Sequence, residues 1–485
     1  MNSDQYVVPV TDEAFTRDRY YTGDVPVPEY RHASDQAYEA FRDLKYGIRI
    51  VWGLYALKHL EASWDFVLTM NDAQRQDYQQ WYRQFNPRQF DAEQWMDMFQ
   101  RFGLKMFTLT TKHCDGFSLF DTKTRVRQRV NWTAPGGPAL EECDLAFSVM
   151  DTPFRRDIVK ELCDAAHKRG IAIDLYFSHP DWYDADFRNF FFHPVQTPEY
   201  LRDPLMYGNA RGVMETPLLM APDPTPAQIG RMMRRYSGQL RELLTNYGKV
   251  DMVCFDASLG PKVWPQVRQL MIELRNLQPD VMFRARGIGP YGDYYTPENF
   301  IPGGKEPTQM PWFVIHCLAK QYAYDPDASR YRDGRWIILN LIDTVAKGGN
   351  FMVTVGPDEN GVFHPKAIEA FEEAGRWLVV NGLAIYGTRA RDGELWHEGE
   401  SVHFTRSKDH RQTYVFSREW PGAKLVLNTV RARSGSQVRM LGVNEPLKWR
   451  QDGQELTIKL PPALQQEENR PCRHAWTWVV ESEAQ

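Results

Sequence analysis

Cysteine is scarce and scattered: Cys114, Cys143, Cys163, Cys254, Cys317 and Cys472 are the six in 485 residues, and no C-x-x-C pair occurs. Neither a disulfide scaffold nor a thiolate metal site is implied, and the six read as reduced thiols. No apolar run reaches the roughly 18 residues that span a bilayer, so a membrane is not expected as a partner. The opening MNSDQYVVPVTDEAF lacks the basic start and apolar middle of a signal peptide. The chain therefore reads as soluble and cytoplasmic as written, or periplasmic or secreted if an export signal was removed. Long basic runs are missing too, and the formal charge is -5, which argues against nucleic acid as a partner. No G-x-G-x-x-G follows the first strand and no P-loop occurs, so neither a dinucleotide cofactor nor any other is expected.

What is present is aromatic and alternating. Aromatics make up 13% of the chain, with 15 Trp, which suits either stacking on sugar rings or filling a large core. From about residue 45 to 386, short apolar runs alternate with helical patterns, the signature of a parallel sheet with crossover helices. The runs are YGIRIVWGLY (46–55), KMFTLTTKHCDGF (105–117), IAIDLYFSHPDW (171–182), VDMVCFDASLG (250–260), DVMFRARG (280–287) and NFMVTVGP (350–357). Helices are predicted over 90–103, 155–170, 227–248 and 264–279, where apolar residues recur three and four apart and stop at Gly or Pro. A (β/α)8-like TIM barrel is favoured over a doubly wound sheet. Beyond residue 388 the texture changes to short alternating runs with polar turns, which predicts an antiparallel β-sandwich. Residues 1–388 are thus expected to form a catalytic barrel with an N-terminal extension, and 389–485 a second domain. The acidic stretch GPALEECD (137–144) reads as a solvated loop.

In such a barrel the loops after the strands converge over one mouth, so polar residues at the strand ends are the candidates for chemistry. They are Trp52 and Tyr55; Lys112, His113 and Asp115; His179, Asp181 and Trp182; Asp256; Arg284 and Arg286. Asp256 is the sharpest. It closes an apolar strand, where a carboxylate is costly to bury unless paired, and the competing explanation is a cap on the helix near Trp264. Arg286 could hold it or its substrate. A glycosidase needs a second carboxyl, and Glu298 in GDYYTPENF or Glu306 in GGKEPTQMPWF could supply it. A metal site from His113, Cys114, Asp115 and His179 matches no zinc spacing.

Eight segments, YGIRIVWGLYAL, LTTKHCDGFSLF, LYFSHPDWY, QLRELLTNYG, CFDASLG, GDYYTPE, DTVAKGGNFMVTVGPDENG and VNGLAIYGT, occur in the order of glycoside hydrolase family 29. Over about residues 45 to 390 the chain resembles these α-L-fucosidases, and its tail resembles their carboxyl-terminal sandwich. The resemblance implies a retaining exo-hydrolase of terminal α-L-fucose, or a related L-sugar, on an oligosaccharide or glycoconjugate. It implies Asp256 as nucleophile and Glu298 as acid/base, with Glu306 in reserve because MPWF has Phe313 where a "P-W-E" branch has glutamate. The implied sugar-binding set is Trp52, Trp64, His113, Cys114, Tyr176, His179 and Arg286. Arg286 is expected to favour the ionised form of Asp256, and the aromatic setting of Tyr294 and Tyr295 to raise the pKa of Glu298. Two departures stand out: Val51 and Cys114 occupy positions of histidines that grip sugar hydroxyls. Their loss motivates the alternative of a carbohydrate-binding protein without turnover.

Overall fold

The computed structural model describes residues 25–190, 193–196, 223–302, 310–393 and 395–482. Seven parallel strands form one curled sheet: β1 (Tyr46–Ile50), β2 (Met106–Lys112), β3 (Ala172–Ser178), β4 (Met252–Asp256), β5 (Met282–Phe283), β6 (Phe313–Cys317) and β7 (Asn350–Val355). Their order is β5-β4-β3-β2-β1-β7-β6, so first and last strands are neighbours and the two edges are β5 and β6. Residues 293–299 bridge those edges. Arg284 pairs with Tyr294 on one side, while Tyr295 pairs with Trp312 and Glu298 with Ile315 on the other. Single bridges, with no continuous strand, close the barrel there because Pro297 has no N–H to give to a ladder.

Helices cover the outside: α1 (Asp35–Leu44), α2 (Ala92–Arg101), α3 (Ile158–Arg169), α4 (Pro226–Thr245), α5 (Trp264–Leu277), α6 (Gly334–Ala346) and α7 (Pro365–Asn381). Side-chain oxygens start several of them, as Asp91 accepts from the Gln94 amide and Asp157 from the Lys160 amide. Strand residues of one parity, such as Ile48, Leu109, Leu175 and Val353, pack outward into the main core. Those of the other parity point inward. Met106, Met252, Met282 and Met352 form an apolar floor with Tyr294 and Phe313, and Phe41 of α1 plugs it from below. Higher up, the inward positions turn polar, which is where a site can form.

Asp293 anchors the barrel-closing segment. One of its carboxyl oxygens accepts from Tyr38 Oη at 2.9 Å and the Ala33 amide at 3.2 Å, the other from Arg275 Nη2 at 2.5 Å and the Phe283 amide at 2.8 Å. Burial would raise its pKa, but Arg275, His32 at 3.0 Å and the Phe283 amide bring it to about 2. Replacing Asp293 with Ala strands a buried guanidinium and is expected to cost about 3 to 5 kcal/mol, read from urea unfolding. Because the folded pKa lies below the unfolded one, the stabilisation is present above pH about 4 and is lost as pH falls towards 2.

Beyond the barrel lie a five-stranded antiparallel sheet, whose strands run from His397–Glu398 to Trp476–Glu481, and a three-stranded one built on Lys424–Leu427, Trp449–Asp452 and Glu455–Lys459. Phe404, Val415 and Trp478 of the first meet Leu425, Leu427 and Ile458 of the second in one core. Trp377 of α7 donates to the Ala475 carbonyl at 2.8 Å and Thr405 to that of Ala384 at 2.8 Å, tying this part to the barrel. One expectation fails: the GPALEECD stretch is no loop, because Ala139–Leu145 pairs antiparallel with Val126–Asn131. The ribbon has little apolar surface to bury, so its alternation is carried by cross-strand charges such as Arg129 and Glu141, 2.7 Å apart.

Candidate active site

Asp256 ends β4, and its carboxylate is claimed from three directions. Tyr176 Oη of β3 donates to one oxygen at 2.6 Å; Arg286 Nη1 reaches the other at 2.7 Å, with Arg284 Nη1 at 3.4 Å. The capping alternative is thereby excluded: α5 begins after a turn at Pro261–Val263 and has no side-chain cap. Burial alone would raise the pKa of Asp256, yet Arg286, Arg284, Arg49 and the Tyr176 hydroxyl hold it far below the carboxylate range.

Glu298 sits on the barrel-closing segment and faces the same arginine. Arg286 Nη1 lies 2.7 Å from its Oε1, Arg284 Nη2 donates to that oxygen at 3.0 Å, and Tyr322 Oη to Oε2 at 3.3 Å. The Asp256 and Glu298 oxygens on Arg286 are therefore no farther apart than twice 2.7 Å. Here a second expectation is overturned: burial raises the pKa of Glu298, but Arg286 and Arg284 outweigh it and bring it to about 2. The tyrosines that were to raise it are elsewhere. Tyr294 points to the interior near Asp174, at 3.4 Å, and Tyr295 packs on Trp312. Glu306 lies outside the described residues.

His113 is buried, bonded to Ser63 Oγ and stacked on Tyr176 at 5.7 Å between ring centres. Burial pulls its pKa down to about 4, so near pH 7 it is a neutral imidazole. Trp64 stands edge-on to His113 and to Trp182, and Cys114 Sγ donates to Ser178 Oγ at 3.4 Å. Ser178 in turn bonds Tyr176 at 2.9 Å, so these groups form one connected wall beside Asp256.

Two expected sugar-binding residues are not on that wall. Trp52 is sealed in a cluster with Phe85, Phe90 and Trp95, its indole N–H donating to the Asp358 carbonyl at 3.1 Å. As the residue after Val51 it takes the outward parity, so the strand period sends it into the core. His179 is likewise turned outward, stacked on Phe255, with Nδ1 on Tyr236 Oη of α4 at 2.5 Å and Nε2 on the Arg286 carbonyl at 3.2 Å. It braces the backbone of the arginine without facing a sugar. The four groups weighed as metal ligands go to four partners, His113 to Ser63, Cys114 to Ser178, Asp115 to Tyr78 and His179 to Tyr236. Sequence reasoning missed Tyr322, Ser178 and Arg49; of these only Arg49, a charge inside an apolar strand, left a readable signal.

A curled parallel barrel with two carboxylates and shared arginines at the carboxyl ends of its strands is the architecture of a barrel glycoside hydrolase. The family model described as Alpha-L-fucosidase matches residues 27–383, and that of the α-L-fucosidase C-terminal domain matches 398–481. The chain belongs to the α-L-fucosidase family of glycoside hydrolases. It is 26% identical to human tissue α-L-fucosidase over 470 residues, covering 90% of this chain and 87% of that protein. Human plasma α-L-fucosidase is also 26% identical, over 471 residues, covering 91% and 88%. The fold is similar to that of α-L-fucosidase isoenzyme 1 from Paenibacillus thiaminolyticus, with a TM-score of 0.72 at 23% identity over 93% of this chain and 99% of that one. It is similar also to the Thermotoga maritima α-fucosidase solved with fucose, at 0.69 and 21% over 93% and 100%.

Proposed function

We propose that the chain removes terminal α-L-fucose, or a closely related L-sugar, from oligosaccharides or glycoconjugates by double displacement, with residues up to 388 as the catalytic unit. The observation that carries this reading is the pair of carboxylates on Arg286 Nη1, both at 2.7 Å, within reach of the spacing of about 5 to 5.5 Å that retention requires. Asp256 attacks the anomeric carbon as the bond to the leaving oxygen breaks, and Glu298 gives that oxygen its proton. Glu298 then takes a proton from water, which attacks the same carbon and releases Asp256. The shared arginines hold both carboxylates below their ordinary range, and the Tyr176 hydroxyl donating at 2.6 Å further favours the ionised form of Asp256 that a nucleophile needs. A binding protein that had lost turnover would have no reason to keep both carboxylates on one guanidinium.

Hydrolysis of nitrophenyl α-L-fucoside, followed by NMR of the first-formed anomer, tests the proposal. Retained configuration is expected; an inverted product or no cleavage of any L-glycoside overturns it.

Selectivity should depart from a generous fucosidase. Val51 sits in a small apolar cluster with Tyr55, Ala62 and Ala323, flanked by Trp64 and Tyr322, and Cys114 already donates to Ser178. Neither offers a strong hydrogen bond to a hydroxyl. Simple fucosides are therefore expected to be weak substrates, and V51H with C114H to raise kcat/KM on them by about tenfold, the value of one regained bond. A parent with no gain in the double variant refutes this account of the pocket.

A further inference from the structure

Arg49 is the one inward-facing residue of β1 that carries a charge, between Gly47 and Val51. It is 6% exposed, and its Nε and Nη1 are sealed from solvent without a hydrogen-bond partner among the described residues. Its guanidinium lies 4.8 Å from the centre of the Tyr176 ring, whose hydroxyl bonds Asp256. Thr354, in register beside it on β7, also has an unpartnered buried hydroxyl. Under the carboxylate pair there is thus a polar floor that the protein itself leaves unsatisfied.

Charge makes this floor unusual. Arg284 and Arg286 already serve Asp256 and Glu298, so Arg49 is a third cation against two anions. Asp174 shares a register row with Arg49 through Thr108, but its carboxylate accepts from Thr108 at 2.7 Å and Tyr294 at 3.4 Å. Burial pushes Asp174 up to about 7, so near neutrality much of it is uncharged. Three cations against two anions leave this part of the barrel one positive charge in excess, and an oxyanion is the ligand whose geometry matches a guanidinium's fork of N–H donors.

We infer that Arg49 is an anion-recognition point, and that the preferred sugar carries a negatively charged oxyanion, a sulfate ester or a carboxylate, that reaches Arg49. The inference rests on the hydrolase reading of the same site. Because its test is a binding measurement, absence of turnover would count against that reading and leave this one decidable.

Calorimetric titration of the full chain with methyl α-L-fucoside, its 2-, 3- and 4-sulfates and methyl α-L-galacturonide, which has a carboxylate at C6, tests it. At least one anionic glycoside is expected to bind about tenfold or more tightly than the neutral parent sugar, and the arms separate sulfate from carboxylate. R49M, which keeps the aliphatic stem, should bring that preference to near parity, read as the ratio of anionic to neutral affinity on the same variant. R49K should recover part of it by charge alone, and stands in if R49M does not fold. Parity among the glycosides in the parent overturns the inference. So does an anionic preference that survives in the variant, or an equal loss for neutral and anionic sugars, which would make Arg49 a positioning residue for Tyr176 and Asp256.

Discussion

Asp256→Asn is expected to abolish turnover of nitrophenyl α-L-fucoside, by about a thousandfold or more, while the melting temperature stays within a few degrees. The amide keeps the shape of the carboxylate and can still accept from Tyr176, so the wall of Tyr176, Ser178 and Cys114 has no cause to collapse. What disappears is the negative oxygen that Arg286 and Arg284 hold in its ionised form. Azide added to Asp256→Ala should restore cleavage of an activated aryl glycoside and give a glycosyl azide of inverted configuration, because the small anion enters from the face the carboxylate vacated. A well-folded variant that retains near-parent rates would remove Asp256 from the nucleophile's role.

The barrel was legible because its strands end abruptly in polar residues. Runs such as VDMVCFDASLG carry apolar side chains on both parities, one set for the helices and one for the barrel floor, and only a sheet buried on both faces needs that. Less visible was β6, Phe313–Cys317, whose lead-in lies beside Pro and Gly and whose final inward position is a cysteine. Helix α6 escaped for the opposite reason. Its sequence GRWIILNLIDTVA is apolar on nearly every face, since it is wedged between β7 and the strand Val402–Arg406, so no stripe stands out.

At the site, position was legible and direction was not. Strand ends located Asp256, Arg284, Arg286 and His113 at one mouth, but residues one apart point to opposite faces. That is why Val51 lines the pocket while Trp52 joins the core, and why a histidine one residue beyond the pocket serine Ser178 can turn to Tyr236. Sharing of one guanidinium by two carboxylates depends on the fold of residues 293–299, which no local pattern encodes. The expectation that aromatic neighbours would raise the pKa of Glu298 failed at that point: adjacency in sequence placed Tyr294 and Tyr295 beside it, but Tyr294 points down into the barrel toward Asp174 and Tyr295 turns to the other face, onto Trp312.

Glu298→Ala is expected to divide substrates by leaving group. A nitrophenolate departs without a proton, so aryl glycosides should lose about tenfold or less, whereas alkyl or sugar leaving groups should lose about a hundred- to ten-thousandfold, the usual worth of general acid catalysis. Equal losses on both would transfer the proton to another group, and Glu306→Ala tested in parallel would show whether that group is Glu306. The pH profile carries the same argument further. With Arg286 and Arg284 holding its pKa near 2, Glu298 is ionised over most of the accessible range, and a general acid works only in its protonated form. On a poor leaving group kcat/KM should therefore fall about tenfold per pH unit above an acidic limb, while Asp256, held far below the carboxylate range by Arg286 and Arg284, keeps the nucleophile charged. Arg284→Met removes one of the two cations closest to Glu298 and should carry that limb upward by about a unit, which is about 1.4 kcal/mol of lost stabilisation of the carboxylate. A parent whose limb already lies near pH 6, unmoved by the substitution, would mean that Arg286 leaves Glu298 when substrate enters, and that the acid is loaded by displacement of the guanidinium instead of by the medium.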